Sequence, residues 1–131
     1  MSGSDWLKNE EKHSSTGPQI KKDPLYQLLR EQKIQEFNKH KAAGKKCDLT
    51  NADFRGLNLQ GLDATGLDFS NSYFRSSDLR GIDFSKSKLE GASIHEAKVS
   101  GCFFPVEISS DELTMSIIRG TRIRYDRKGK A

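Results

Sequence analysis

From Cys47 to Val106 the chain counts in fives, in twelve consecutive blocks: CDLTN ADFRG LNLQG LDATG LDFSN SYFRS SDLRG IDFSK SKLEG ASIHE AKVSG CFFPV. The third residue of each block is Leu49, Phe54, Leu59, Ala64, Phe69, Phe74, Leu79, Phe84, Leu89, Ile94, Val99 and Phe104. The first is small or aliphatic, and the fifth is often Gly or Asn. A helix repeats every ~3.6 residues and a strand every ~2, so neither produces this spacing. The register predicts a repeat architecture, in which units bury their apolar side by stacking.

Blocks such as Ala52-Asp53-Phe54-Arg55-Gly56 and Ser77-Asp78-Leu79-Arg80-Gly81 resemble the pentapeptide-repeat family, whose pattern is roughly A(D/N)LXX. The departures are Ala64 at a large-residue position, and Leu57, Leu62, Leu67 and Ile82 where the family prefers Ala. The resemblance implies an all-β solenoid, a right-handed quadrilateral β-helix with four blocks to a coil and the first and third residues pointing inward. Twelve blocks then make about three coils, which need a cap at each end. On that frame Leu62 and Ala64 trade volume within one block, as close packing requires. Phe54 stacks under Phe74, and Phe84 under Phe104, as two ladders inside the core.

A hydrophobic content of 34% with 31% charge is low for a layered globule and suits a thin solenoid. No apolar run approaches the ~18 residues needed to span a bilayer. The stretch Met1-Ser-Gly-Ser-Asp5 lacks the basic and apolar parts of a signal peptide, so the expected location is cytoplasmic. Cys47 and Cys102 open the first and twelfth blocks. They are expected roughly 13 Å apart at strand spacing, beyond disulfide reach, as buried small hydrophobes. With no His or Cys pair at ligand spacing, neither a metal nor another cofactor is expected.

The organisation follows. Residues 1–22 read as a disordered polar tail. Residues 23–46 read as a helical cap, started by Asp23-Pro24, stopped at Gly44 and broken near Gln32-Lys33. The repeats occupy residues 47–106. Residues 107–120 read as a second helical cap, with a capping box from Ser109 to Glu112 and a stop at Gly120. Residues 121–131 form a basic segment, in which Thr121 to Tyr125 alternate as a possible short strand. Phe103, at an outward second position, is expected to pack on the C-terminal helix through Leu113 or Ile117.

In the implied coil the second and fourth residues face outward and recur twenty residues later. Arg55, Arg75 and His95 then share a column with Tyr73 beside it, and Arg80 and Lys98 lie on the next face. Asp63 with Asp83, and Asp48 with Asp68, make acidic columns that are typical of the repeat. The expected role is a non-enzymatic scaffold whose Arg55, Tyr73, Arg75, Arg80 and His95 meet an acidic protein surface. A first alternative is nucleic-acid contact through Arg119, Arg122, Arg124, Arg127 and Lys128, with Lys130 and an interleaved Tyr125. A second is mimicry of duplex DNA toward a gyrase or topoisomerase, a function of some relatives. The repeats carry eight acids against six bases, net −2, and the whole chain is +4, which fits a DNA mimic poorly. His13, His40 and His95 have no Ser, Cys or carboxylate placed to make a catalytic set. No small-molecule substrate and no membrane association are expected.

Overall fold

A computed structural model describes residues 17–126. Its repeat region climbs by twenty residues per turn. Parallel bridges join Asp53 to Tyr73 and Tyr73 to Ser93, Asn58 to Asp78 and Asp78 to Lys98, Asp68 to Lys88, and Asp83 to Phe103. The expected all-β reading holds only in this pairing. Among the described residues every pairing is an isolated bridge, and no run forms an extended strand. The corner is the reason. The fifth residue of a block takes a positive φ at Asn51, Gly56, Gly61, Gly66, Asn71, Ser76, Gly81, Gly91, Glu96 and Gly101. A left-handed residue every five positions turns the chain before a strand can lengthen, which is why Gly and Asn recur there.

Inside, the third residues from Leu49 to Ile94 are all buried. Phe54 and Phe74 stack with centroids 5.0 Å apart, Phe84 and Phe104 with centroids 5.8 Å apart, and Phe69 meets Phe54, Phe74 and Phe84 edge-on. Leu62 and Ala64 are both buried, as their volume trade requires. The first positions hold a device that composition hides. Ser72, Ser77 and Ser87 are buried, and their hydroxyls donate to the carbonyls of Leu49, Phe54 and Ala64 at 2.6, 2.6 and 2.7 Å. Each thus crosses from one coil to the coil below. Cys102 donates in the same way to the Leu79 carbonyl at 2.9 Å.

Within the stack, the second-position N–H bonds to the coil below, as Asp78 does to Leu57 and Lys98 to Ser77. The first coil has no such neighbour, and four substitutes take its place. Asp48 N–H donates to Asp23 Oδ2 (2.9 Å), Asp53 N–H to the Gln19 carbonyl (2.9 Å), Asn58 N–H to Gln32 Oε1 (2.6 Å) and Asp63 N–H to Asn38 Oδ1 (3.0 Å). Three of these residues belong to the segment around α1 (Pro24–Arg30) and α2 (Ile34–Ala42). Asp23 also caps α1, accepting from the N–H groups of Leu25 and Tyr26 at 2.9 and 3.0 Å. Gln32, with φ 60°, is the break between the helices. Leu25, Tyr26, Leu29, Ile34 and Phe37 close the core beneath, where the Tyr26 ring meets Phe54 edge-on.

Gln19 corrects the expected boundary of the polar tail. It pairs with Ala52 as an extra rung, and Lys21 lies 2.8 Å from Asp48, so residues 17–22 are part of the fold. The remainder of that tail lies outside the described residues.

The far end mirrors this arrangement. Helix α3 (Ser110–Arg119) starts on Ser109, whose hydroxyl accepts from Glu112 N–H at 3.2 Å, and stops at left-handed Gly120. Only half of the capping box forms, because the Glu112 carboxylate turns to Arg124. Above the last coil, Ser116 Oγ accepts from Ile94 N–H (3.0 Å), the Ile117 carbonyl from Glu96 N–H (3.0 Å), and Tyr125 Oη from Leu89 N–H (2.9 Å). Ile123 is buried and exchanges backbone bonds with Gly91 and Ala92 without forming a strand.

Two expectations fail here. Phe103 is 67% exposed, because α3 docks through Ser116 and Ile117 onto residues 94–96 instead. Cys47 and Cys102 are free but only half-buried, since each stands at an end of the stack. Burial, with Asp23 and Asp48 nearby, still pushes the Cys47 thiol up to about 11.

Candidate interaction site

The second residue of a block does local work before it does any binding. Its side-chain oxygen accepts from the N–H two residues on: Asp53 from Arg55 (3.0 Å), Asn58 from Gln60 (3.1 Å), Asp68 from Ser70 (2.9 Å) and Asp83 from Ser85 (2.8 Å). These turns explain the acidic columns without a ligand. Where the fourth residue is Arg, the same Asp also takes its charge. Asp53 grips Arg55 in a fork of 2.9 and 3.0 Å, and Asp78 grips Arg80 at 2.9 and 2.7 Å. Burial works against the Asp53 carboxylate, but the Arg55 side chain and backbone outweigh it and hold the group below the usual range. The Arg80 guanidinium does the same for Asp78.

One face departs from this rule. Its second positions in the upper coils are Tyr73 and Ser93, which carry no charge to meet Arg75 and His95. The nearest carboxylate to Arg75 is Glu96, at 3.8 Å, with both side chains more than half exposed. That is beyond hydrogen-bond distance. His95 is held by its Nδ1, which lies 3.1 Å from the Ile117 carbonyl and so carries the proton in the neutral ring. Its Nε2 stands 3.8 Å from Glu96.

The end of α3 completes this face. Arg55, Tyr73, Arg75, Ser93, His95, Arg119 and Gly120, with Pro18, line a shallow cleft of about 360 Å³. Gly120 lets the helix end come close, since a Cβ there would stand 3.2 Å from the His95 ring. The Arg119 side chain, at the last position of α3, shows no ion pair or hydrogen bond among the described residues. Four of the five residues expected to bind a partner therefore meet at one place. The fifth, Arg80, does not: it lies outside the cleft with its charge taken by Asp78. Arg119 is the member that the column reasoning missed, because a helix outside the repeat supplies it.

A model of pentapeptide repeats matches residues 45–71 and 68–104, in eight copies. The repeat segment belongs to the pentapeptide-repeat family. Pentapeptide-repeat proteins are in general structural or interaction proteins rather than enzymes. No curated protein and no solved structure significantly matches the chain.

The described part of the basic C-terminal segment is engaged with the pentapeptide-repeat solenoid and with α3. Arg122 stacks over the Tyr73 ring at 5.0 Å and donates to the Tyr73 hydroxyl and, at 3.3 Å, to the Gly91 carbonyl. Arg124 pairs with Glu112 at 3.0 Å. Tyr125 is half-buried with its hydroxyl accepting from Leu89 N–H, so its ring is not a free stacking platform. Arg127, Lys128 and Lys130 lie outside the described residues. Among the described residues no helix is long and apolar enough to cross a membrane, and no group of His, Cys, Asp and Glu could hold a metal.

Proposed function

We propose that this chain is a non-enzymatic scaffold, a right-handed square solenoid of about three coils, that docks an acidic surface of a protein partner on the Arg75–Arg119 cleft. The observation that carries this reading is the local loss of charge pairing. Where Asp53 and Asp78 neutralise Arg55 and Arg80, Tyr73 leaves Arg75 without a hydrogen-bonded carboxylate, and Arg119 is added from another element. Guanidiniums with hydrogen-bonding capacity to spare, beside aromatic side chains, are common interface anchors. The intramolecular engagement of Arg122 and Arg124 supports a protein partner over nucleic acid held by the C-terminal segment.

The test is capture of partners from native lysate, with and without nuclease, by the full chain and by the double variant Arg55→Glu, Arg75→Glu. A nuclease-resistant partner lost in the variant, with an unchanged circular dichroism spectrum, is the expected result. Undiminished capture by the variant refutes the docking face. Loss of the partner on nuclease treatment moves the function to nucleic acid.

A further inference from the structure

The cleft gathers guanidiniums from the repeat and from α3, and Glu96 stands at its edge. The lining residues include three guanidiniums, those of Arg55, Arg75 and Arg119, and no carboxylate. Asp53 occupies Arg55 through a two-bond fork. Glu96 is the residue next to His95, on a side chain long enough to close on Arg75. It nevertheless stops at 3.8 Å from both Arg75 and His95 Nε2 and stays mostly in solvent. Glu96 thus pairs loosely with Arg75 and leaves its hydrogen-bonding fork unfilled.

A dianion differs in both charge and shape. A phosphate monoester carries about −1.5 to −2 and presents three strong acceptor oxygens. Two guanidinium forks can share those oxygens, whereas one carboxylate offers two oxygens in a single plane. His95 is preset for the same task. Its Nδ1–H is committed to the Ile117 carbonyl, which holds the ring in the wall of the cleft. Resting on the docking face proposed above, we infer that the group recognised there is a phosphate monoester on the partner polypeptide, bridged by Arg75 and Arg119 with His95 between.

The test is a ¹H–¹⁵N NMR titration of the full chain with a short neutral peptide carrying one phosphoserine. The matched glutamate peptide, inorganic phosphate and a thymidine oligonucleotide are the comparison ligands. The phosphopeptide is expected to bind at least tenfold more tightly than the glutamate peptide and to shift the Arg75, Arg119 and His95 signals. Arg75→Ala should lose this binding. Arg119→Lys, which keeps the charge and the helix but removes the fork, should weaken it severalfold. Equal affinity for the two peptides, or shifts centred elsewhere, overturns the inference. So does tighter binding of the oligonucleotide, or of inorganic phosphate without any shift at the three residues. A lysate treated with phosphatase separates this inference from the docking face. Charge-dependent capture that survives phosphatase leaves the docking face standing and removes the phosphate.

Discussion

Four of the ten left-handed corners are held by residues with a Cβ: Asn51, Asn71, Ser76 and Glu96. Asn tolerates this conformation, but for other L-residues it costs about 1–2 kcal/mol, against roughly 0.5–1 kcal/mol of extra chain entropy for Gly. Ser76 is exposed at φ 60° and shows no side-chain bond that would repay the strain. Ser76→Gly should therefore stabilise the protein by about 0.5–1 kcal/mol, read as a higher midpoint in thermal or urea unfolding. An unchanged or lower midpoint would mean that the corner is not strained. Gly91 is the opposite case. It has φ 82°, and a Cβ there would come within 2.0 Å of Asn71 Oδ1, so strain and a clash coincide at one corner. The same residue-by-residue reading marks the cleft, because Tyr73 stands in the place of an Asp and Arg75 has no hydrogen-bonded carboxylate.

At the scale of the element, each cap is a substitute coil. A solenoid end exposes a row of backbone groups that its own repeat cannot satisfy. Here Asp23, Gln32 and Asn38 below, and Ser116, Ile117 and Tyr125 above, supply the missing acceptors. Asp23 is the most concentrated of them, with one oxygen on two N–H groups of α1 and the other on Asp48. Asp23→Ala should cost about 2 kcal/mol, the upper range for an N-cap. Asp23→Asn should fall between, keeping the helix cap but losing an acceptor to one of the two sites. Denaturant titration of the three proteins checks that order, and an Asn variant as weak as Ala would place the whole effect on the Asp48 link.

The whole molecule binds its carboxylates more tightly to the charged form than the unfolded chain does. Burial opposes this at Asp48, Asp53 and Asp63, but hydrogen bonds from Thr50 and Lys21, from Arg55, and from Thr65 and Lys41 outweigh it. Hydrogen bonds from Arg80 and Ser85 lead at Asp78 and Asp83, and the Arg124 backbone at Glu112. All six are lowered in the folded state. Their stabilisation is thus complete above the unfolded value near pH 4 and is lost as pH falls through the folded values. The melting temperature should hold steady from about pH 7 to about pH 5 and fall below about pH 4. Asp53→Asn, which removes the most buried of these groups, should make that acid limb shallower. A wild-type melting temperature that ignores acid would show that the carboxylate network contributes nothing net.

The family resemblance supplied the four-block coil, and on that coil the five-residue register determined the buried third positions from Leu49 to Ile94 and both phenylalanine ladders. The register could do so because period and side-chain volume are local properties that every block repeats. The gathering of Arg55, Tyr73, Arg75 and His95 was legible for the same reason, once twenty residues are read as one turn. Only tertiary structure decided what happens where the repeat stops. Gln19 joined the sheet-like pairing, Arg80 was neutralised in its own block, Phe103 was left in solvent, and Arg119 was brought to the cleft by α3. A cap satisfies one edge once, so its contacts follow no period that a sequence could display.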